Sequence, residues 1–398
     1  MSQYSAVYVV FGATGDLAQR KIIPSLLALI NSDSTISNVS IVAYSRRPWN
    51  DDEYRAFIKP SLDSRKYTDE QIEQFLNKIS YVQGTFDSAD SYKALKSKLE
   101  SYSKKSDVLF HFAVQPEFYK NIVEGLGKVG LTGKLLIEKP FGIDGASAES
   151  LQKTIEKYFS ESNIFRIDHY LAKSGLREMI AEKSQNITAK PVRKIHAHVL
   201  EKLDIQGRGE FYDSVGVIRD VIQNHLLAMI ASCIMLTSPT NDIQAARAAA
   251  ISSLTVPQGE DFKYSFVRAQ YNGYQSEDGV DPASDTETYA KISTSITAGF
   301  LRHVQVSLEA GKAMPTKESQ ITITFSDDSE LVFDMEKKHP SHNDAYEILI
   351  KEAMNGVASY FVSMDEVRAS WKFIDPIITH KRNVPLLTYK KGDMPHNI

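Results

Sequence analysis

Up to residue 165, short apolar runs alternate with longer stretches in which apolar residues recur at helical spacing. The runs AVYVVFG, VSIVAYS, ISYVQGTF, SDVLFHFAV and GKLLIEKP have the length and the β-branched and aromatic content of strands. Between them lie helical patterns such as DLAQRKIIPSLLALI and SYKALKSKLESYSKK. Regular alternation of strands and helices indicates a parallel sheet with helices on both faces. We therefore expect residues 1–165 to form a Rossmann-like, doubly wound α/β domain.

From residue 166 onward the dominant pattern is an alternation of apolar and polar residues with a period of two. KPVRKIHAHVL, YSFVRAQY, TYAKISTSIT, VQVSLEA, QITITF and ELVFDM follow it, and this alternation is typical of an antiparallel sheet with one solvated face. Helical stretches lie before and between these strands. We therefore expect residues 166–398 to form an α+β domain, in which helices accompany a large, mainly antiparallel sheet.

Composition excludes several classes of protein. A formal net charge of −4 over 398 residues does not indicate a nucleic-acid-binding protein, and an anionic ligand would need local lysines and arginines. The single cysteine, Cys233, excludes an internal disulfide and a multi-cysteine metal site, so we predict no metal. Neither a signal peptide nor a long uninterrupted apolar run is visible. We expect a cytoplasmic location, with no membrane partner.

A glycine-containing turn, FGATGDLAQRK, follows the first predicted strand and opens the first helix. Gly12 and Gly15 permit positive φ and let backbone N–H groups approach a pyrophosphate at the helix N-terminus. Two glycines alone are a weak signal, but their position between first strand and first helix favours a dinucleotide site.

The end of the second predicted strand indicates which dinucleotide binds. NAD sites usually carry an acidic residue there for the ribose 2′-hydroxyl. Here the strand ends in AYSRRPW, with Arg46 and Arg47 and no acidic residue before Asp51. Guanidinium groups suit a 2′-phosphate, so we predict NADP. The alternative is that both arginines are solvated turn residues before Pro48.

An apolar stretch, IFRIDHYLAK (residues 164–173), carries several groups that titrate or form hydrogen bonds. A second such stretch, RDVIQNHLL, carries Asp220 and His225 on a predicted helix. On an ideal α-helix these two residues point about 140° apart, so a shared pocket requires a ligand along the helix flank or a distorted helix. His225 suits the base of an alcohol oxidation, with Asp168 on its other ring nitrogen. The alternative is an ordinary buried histidine.

Five motifs occur in a fixed order: GATGDLAQRKIIPSL, IEKPFG, RIDHYLAK, RDVIQNHLL and AGKAM. Together they closely resemble the glucose-6-phosphate dehydrogenase family, and DAYEILI and DEVRASWKFIDPII extend the resemblance over nearly the whole chain. The resemblance implies oxidation of glucose 6-phosphate at C1 to 6-phosphogluconolactone with NADP, the reaction that opens the pentose phosphate pathway. It also implies a homodimer formed through the antiparallel sheet.

The resemblance also implies a role for each matching residue. His225 is the base and Asp168 its paired carboxylate. Sugar-phosphate ligands are His169, Tyr170, Lys173 and Lys312, with Lys317 as a further basic residue near the substrate. Glu201 and Asp220 bind sugar hydroxyls, and Lys139 lies between substrate and cofactor. Cofactor contacts are Gly12, Thr14, Gly15, Asp16, Leu17, Arg46, Arg47 and Lys139.

Departures from the family pattern leave the identity of the sugar substrate open. The chain is shorter than most members, chiefly between ELVFDM and DAYEILI, so we predict no second, structural cofactor site. Ala172 and Ser174 replace a usual glycine and glutamate, and Glu336 lies where a glutamine is usual. Alternatives are therefore the same reaction on another hexose 6-phosphate, such as glucosamine or N-acetylglucosamine 6-phosphate, or a catalytically silent sugar-phosphate or nucleotide sensor.

Overall fold

The chain forms two compact units, which the computed structural model describes over residues 5–34, 36, 38–102, 107–181, 187, 190–238, 240–337 and 344–395. The first unit comprises Met1–Gly142, Ala146–Ile167 and Asn343–Val362. The second comprises Ile143–Gly145, Asp168–His342 and Ser363–Ile398. The domain boundary at residues 165 and 166 stays a prediction. Residues 338–343 of the shortened link lie outside the described residues.

The described residues form strands and helices with the following bounds. The strands are β1 (Ser5–Phe11), β2 (Asn38–Ser45), β3 (Ile79–Gln83), β4 (Asp107–Phe112), β5 (Lys134–Ile137), β6 (Ile164–Arg166), β7 (Val192–Leu200), β8 (Phe266–Tyr271), β9 (Tyr289–Ser295), β10 (Gln305–Gly311), β11 (Glu318–Phe325), β12 (Glu330–Asp334) and β13 (Leu386–Tyr389). The helices are α1 (Ile23–Ser32), α2 (Asp51–Ile58), α3 (Asp69–Leu76), α4 (Ala89–Glu100), α5 (Tyr119–Lys128), α6 (Gly145–Ile155), α7 (Ser174–Ala181), α8 (Gly209–Val217), α9 (Leu227–Ile234), α10 (Ile243–Ser252), α11 (Phe262–Ser265), α12 (Ala345–Asn355) and α13 (Met364–His380). Two π-helical segments, Ala18–Ile22 and Ile218–Leu226, precede α1 and α9.

The first unit contains a parallel sheet whose described strands follow the order β3-β2-β1-β4-β5-β6. Six of the seven residues of β1 are buried, as expected of a strand covered on both faces. The strand order reverses between β1 and β4, which places the glycine turn after β1 at a topological switch point, where α/β sheets bind ligands. The predicted Rossmann-like, doubly wound domain is confirmed.

A buried polar network joins α12 to this sheet. Tyr8 and His111 share a hydrogen bond of 2.7 Å, and the second ring nitrogen of His111 lies 2.9 Å from Glu138 Oε1. Tyr346, on α12, donates to the other Glu138 oxygen at 3.3 Å. Buried polar groups cost stability unless they are hydrogen-bonded, so this network helps explain why a late segment of the chain belongs to the first unit.

The second unit contains a mixed sheet whose described strands follow the order β12-β11-β7-β10-β9-β8-β13. Four neighbouring pairs are antiparallel, and the pairs β7–β10 and β8–β13 are parallel. The predicted mainly antiparallel sheet with helices is therefore confirmed. One helical stretch among the described residues, Gly209–Thr237, is long and apolar enough to span a membrane, but 78% of its most apolar window is buried inside the protein, which is typical of a core helix.

Glu309, on β10, is a buried carboxylate at the centre of this sheet. It lies 2.9 Å from His196 Nε2 and accepts a 2.6 Å hydrogen bond from Tyr289. Burial raises the pKa of Glu309, but the contacts with His196 and Tyr289 lower it by more, to about 2. Because the folded-state pKa is depressed, the carboxylate stabilises the fold above its ordinary pKa, and this contribution disappears as pH falls toward 2.

We expect Glu309→Gln to reduce the loss of stability between pH 5 and pH 3, because glutamine cannot titrate. At neutral pH the substitution should lower the free energy of unfolding by about 2 to 3 kcal/mol. Urea unfolding at several pH values checks both expectations, with exposed Glu330→Gln on β12 as the control. A variant with the acid sensitivity of the wild type would contradict this account of Glu309.

Candidate active site

The glycine turn after β1 packs closely against the main chain that follows β4. Gly12 has φ +78°, and a Cβ at this position would lie 2.3 Å from the carbonyl oxygen of Ala113, so side chains are excluded. The Gly15 N–H donates to the Gly12 carbonyl at 2.8 Å, and a helix begins at Asp16. A glycine turn between the first strand and the helix that follows it is the position where Rossmann-type folds bind the pyrophosphate of a dinucleotide. Asp16 forms an exposed 2.7 Å ion pair with Arg20, and Leu17 is half-buried.

The end of β2 lies beside this turn. Thr14 Oγ1 is 2.8 Å from Ser45 Oγ, so a hydroxyl occupies the strand end where an NAD site usually has a carboxylate. Arg46 and Arg47 follow and are exposed, and the Arg47 guanidinium carbon lies 4.7 Å from the Trp49 ring centre. Asp51, the next acidic residue, accepts a 2.7 Å hydrogen bond from the main chain of Tyr81. The exposed guanidinium groups of Arg46 and Arg47 are therefore at a strand end where the ribose of a dinucleotide usually binds.

An aspartate–histidine dyad lies in the second unit. His225 Nδ1 is 2.7 Å from Asp168 Oδ1, and both residues are buried. Burial raises the pKa of Asp168, but the charge and hydrogen bond of His225, with further contributions, lower it to about 2. The carboxylate is therefore ionised at neutral pH and favours a proton on Nδ1. This tautomer leaves a lone pair on Nε2, where a proton can be accepted.

The helix that carries His225 is not an α-helix at this point. Residues Ile218–Leu226 are π-helical, and a π-helix closes hydrogen bonds between residues five apart. Asp220 and His225 are five apart, so the π-helix brings them toward one face, whereas an ideal α-helix would separate them. The Asn224 side chain donates to the Arg219 carbonyl at 2.9 Å, and its oxygen accepts the His225 N–H. The distorted helix that a pocket shared by Asp220 and His225 requires is therefore present.

The residues after Asp168 surround the imidazole of His225. Asp168 caps the short helix His169–Ala172 by accepting the Tyr170 N–H at 2.9 Å. The Tyr170 ring stacks on His225 with centroids 4.3 Å apart, and the His169 ring packs edge-on at 4.7 Å. Lys173 Nζ lies 3.8 Å from the Tyr170 ring centre. The polar residues of the stretch 164–173 therefore surround the His225 imidazole.

Asp168, His169 and His225 are residue types that can bind metals, and they lie close together. They offer possible ligand atoms that all lie within 4.8 Å of one another. The Asp168–His225 hydrogen bond accounts for the closeness of two of these residues, and His169 follows Asp168 in the chain and packs edge-on against His225. The expectation of no metal stays a prediction.

Two groups of ion pairs hold the remaining predicted site residues of the second unit. Buried Lys312 contacts Glu201 and lies 3.1 Å from Asp220. Burial lowers the pKa of Lys312, but the two carboxylates raise it by more, so the ammonium is charged at neutral pH. In the other group, Lys173 and Lys317 both contact Glu336.

Lys139 belongs to the first unit, where it follows β5 and precedes a cis peptide bond to Pro140. Its predicted role between substrate and cofactor stays a prediction. Glu336 and Ser45 have contacts with these residues that the sequence analysis did not assign. In the sequence, Glu336 is marked only by its departure from the glutamine that is usual at this position in the family.

The first unit has a Rossmann-type sheet with a glycine turn. The second unit of the same chain holds an Asp–His dyad with lysines nearby. Together these features define an oxidoreductase with an NAD(P)-binding domain. Comparison with known families agrees. The family model described as "Glucose-6-phosphate dehydrogenase, NAD binding domain" matches residues 9–178, and that described as "Glucose-6-phosphate dehydrogenase, C-terminal domain" matches residues 184–343 and 327–397. The chain belongs to the glucose-6-phosphate dehydrogenase family.

Similar proteins support this membership over the full length. The chain is 31% identical to a glucose-6-phosphate 1-dehydrogenase of Helicobacter pylori, covering 97% of this chain and 96% of that one. It is 28% identical to the Bacillus subtilis protein of the same name, with 94% and 91% coverage. A solved structure of glucose-6-phosphate dehydrogenase in complex with its substrate glucose-6-phosphate aligns with a TM-score of 0.90 at 26% identity, covering 100% of this chain and 97% of that chain.

Proposed function

We propose that this protein oxidises glucose 6-phosphate at C1 to 6-phosphogluconolactone, with NADP⁺ as the hydride acceptor. The observation that carries the proposal is the 2.7 Å contact between His225 and an ionised Asp168. It occurs in a chain that is similar over its whole length to a glucose-6-phosphate dehydrogenase solved with that substrate. Binding alone requires no base, so this dyad argues against a silent sensor.

In the proposed mechanism His225 is the general base. Asp168 holds the proton of Nδ1 and orients the ring, so that Nε2 accepts the proton of the C1 hydroxyl. The developing imidazolium lies against the Asp168 carboxylate, which stabilises its charge. As the C1–H bond breaks, its electron pair leaves with the hydrogen as hydride, and the C1–O bond gains double-bond character. Bound NADP⁺ supplies the acceptor for this hydride.

The charged residues of the second unit would hold the sugar phosphate. We assign its phosphate to His169, Tyr170, Lys173 and Lys312, with Lys317 nearby. Glu201 and Asp220 are charged acceptors suited to sugar hydroxyls. The cations are needed locally, because the chain as a whole carries a net charge of −4.

We assign the cofactor to the first unit, with NADP preferred over NAD. Support comes from the glycine turn at Gly12 between β1 and the helix that follows, the Ser45 hydroxyl at the end of β2, and the exposed arginines after Ser45. Gly15, Thr14, Asp16 and Leu17 would line the pyrophosphate side. Lys139 would contact both cofactor and substrate.

We expect Lys173→Ala to raise KM for glucose 6-phosphate by about tenfold to a hundredfold, because one charge-assisted contact with phosphate is lost. KM for NADP should change little. Steady-state kinetics with the phosphorylated and the free sugar separate the two binding sites. Lys337→Ala, which removes an exposed lysine 3.4 Å from Glu178, is the matched control. Equal losses on free glucose and its phosphate would show that Lys173 is not a phosphate ligand.

The substrate is tested by initial rates with glucose 6-phosphate, glucosamine 6-phosphate and N-acetylglucosamine 6-phosphate, each with NADP and NAD. Absorbance of the reduced nicotinamide reports turnover. We expect the highest kcat/KM with glucose 6-phosphate and NADP. A higher value with an amino or acetamido sugar would move the assignment to that sugar, and binding without turnover would indicate a sensor.

We also propose a homodimer that associates through the sheet of the second unit. Val332, on β12, is 49% exposed and pairs across the sheet with partly exposed Thr322. Light scattering that gives the mass of one chain at working concentration would contradict the dimer.

We also propose a cytoplasmic location. The single cysteine, Cys233, is buried and not in a disulfide, so the fold does not require an oxidising compartment.

A further inference from the structure

A carboxylate lies between two of the lysines assigned to the substrate's phosphate. Glu336 Oε1 accepts a hydrogen bond from Lys173 Nζ, and Glu336 Oε2 accepts one from Lys317 Nζ at 3.0 Å. The carboxylate therefore makes the kind of charge-assisted N–H···O contact that a phosphate oxygen would make with the same lysines.

Local backbone structure holds Glu336 in this position. Its main-chain N–H donates to Asp334 Oδ1 at 2.8 Å, which closes the turn after β12. The start of α7 lies directly against this turn, because a Cβ at Gly175 would come within 2.0 Å of the Asp334 carbonyl oxygen. Ser174 Oγ also donates to the Lys337 carbonyl at 2.6 Å. Ser174 and Gly175 immediately follow Lys173, so the lysine and the turn are fixed together.

The Glu336 carboxylate is ionised at neutral pH. Burial raises the pKa of Glu336, but the hydrogen bonds and charges of Lys173 and Lys317 lower it by more, so the net shift is downward. The Lys173 side chain is 17% exposed and that of Glu336 is 32% exposed. An ion pair that is partly withdrawn from water is stronger than the same pair on an open surface.

The same lysine connects this cluster to the dyad. Lys173 Nζ lies over the Tyr170 ring, and that ring stacks on the His225 imidazole. An anion held by Lys173 is therefore separated from the base by a single aromatic side chain. This is the arrangement expected of a subsite for the non-reacting end of the substrate.

We propose that Glu336 determines the affinity for phosphorylated sugars by competing with the substrate's phosphate for Lys173 and Lys317. The inference rests on the proposed function. A phosphate must displace the carboxylate, and the ion pairs that are broken subtract from the binding free energy. Because the loss is the same before and during the chemical step, Glu336 raises KM and leaves kcat unchanged.

The test compares Glu336→Gln with the wild type, since glutamine keeps the size of the side chain and removes its charge. Calorimetry with inorganic phosphate on cofactor-free protein should show binding that is tighter by about fivefold to fiftyfold. KM for glucose 6-phosphate should fall by the same factor, while KM for unphosphorylated glucose should not change. Phosphate binding requires no turnover, so this arm tests the inference even if the proposed reaction is wrong.

Glu330→Gln, on the same strand as the turn, is the matched control and should bind phosphate within about twofold of the wild type, because a distant exposed charge is largely screened. Glu336→Ser is the second variant, so that a folding defect of one substitution does not decide the result. Thermal unfolding identifies the folded variants. Unchanged or weaker phosphate binding in a folded Glu336 variant would overturn the inference, because the carboxylate would then be neutral or would position the lysines.

Discussion

Replacing His225 with asparagine is expected to lower kcat by about a hundredfold to ten thousandfold, the range usual for loss of a general acid–base group. In the wild type, Asp168 Oδ1 lies 2.7 Å from His225 Nδ1. The asparagine amide can still donate to this oxygen, so the buried carboxylate keeps a partner. What disappears is the proton acceptor at Nε2. Stopped-flow and steady-state kinetics measure the loss, and circular dichroism confirms that the variant is folded.

Ground-state affinity distinguishes this role from a structural one. The Kd of glucose 6-phosphate for the His225 variant should remain close to that of the wild type, because a base contributes mainly to the chemical step. Asp168→Asn provides the companion measurement: it favours the wrong tautomer and should also lower kcat strongly. Near-normal turnover by folded His225→Asn would end the assignment of this residue as the base.

The double substitution Arg46→Ala, Arg47→Ala is expected to weaken NADP by about a hundredfold or more and to change NAD little. Each lost charge-assisted contact with the 2′-phosphate is worth roughly 1.5 to 3 kcal/mol. Both arginines are exposed at the end of β2, and Ser45 occupies the place of the usual acid. Fluorescence titration with each dinucleotide gives the two affinities.

Arg65→Ala is the control for a general change of charge, because its side chain is 91% exposed in the same unit. It should leave the ratio of NADP to NAD affinity unaltered. Equal weakening of both dinucleotides in the double variant would show that Arg46 and Arg47 do not recognise the 2′-phosphate.

Much of the fold follows from periodicity, because burial on both faces or one face leaves a direct trace in the residues. The near-continuous apolar runs of β1 and β2 predict the parallel sheet, and the alternation in QITITF predicts a strand with one buried face, as β11 has. Strand direction leaves no such trace. The parallel pairing of β7 with β10 and of β8 with β13 depends on connections that local periodicity does not contain.

The site was predictable to the extent that unusual polarity marks it. Asp168 and His225 stand out because charged groups are rarely buried without a partner, and they are each other's partner. The π-helical segment that brings Asp220 toward the face of His225 was not predictable, since its residues have an ordinary helical pattern. The contacts of Glu336 with two lysines were also not predictable, because they depend on how the turn after β12 packs against α7.

The most direct test of the proposed function follows the hydrogen on C1. Glucose 6-phosphate deuterated at C1 is incubated with the protein and NADP⁺, and the reduced dinucleotide is analysed by mass spectrometry. Hydride transfer from C1 predicts that one deuterium appears in NADPH and that the lactone forms in equal amount. Unlabelled NADPH, or a sugar phosphate that binds and is recovered with its deuterium intact, would contradict the proposed reaction.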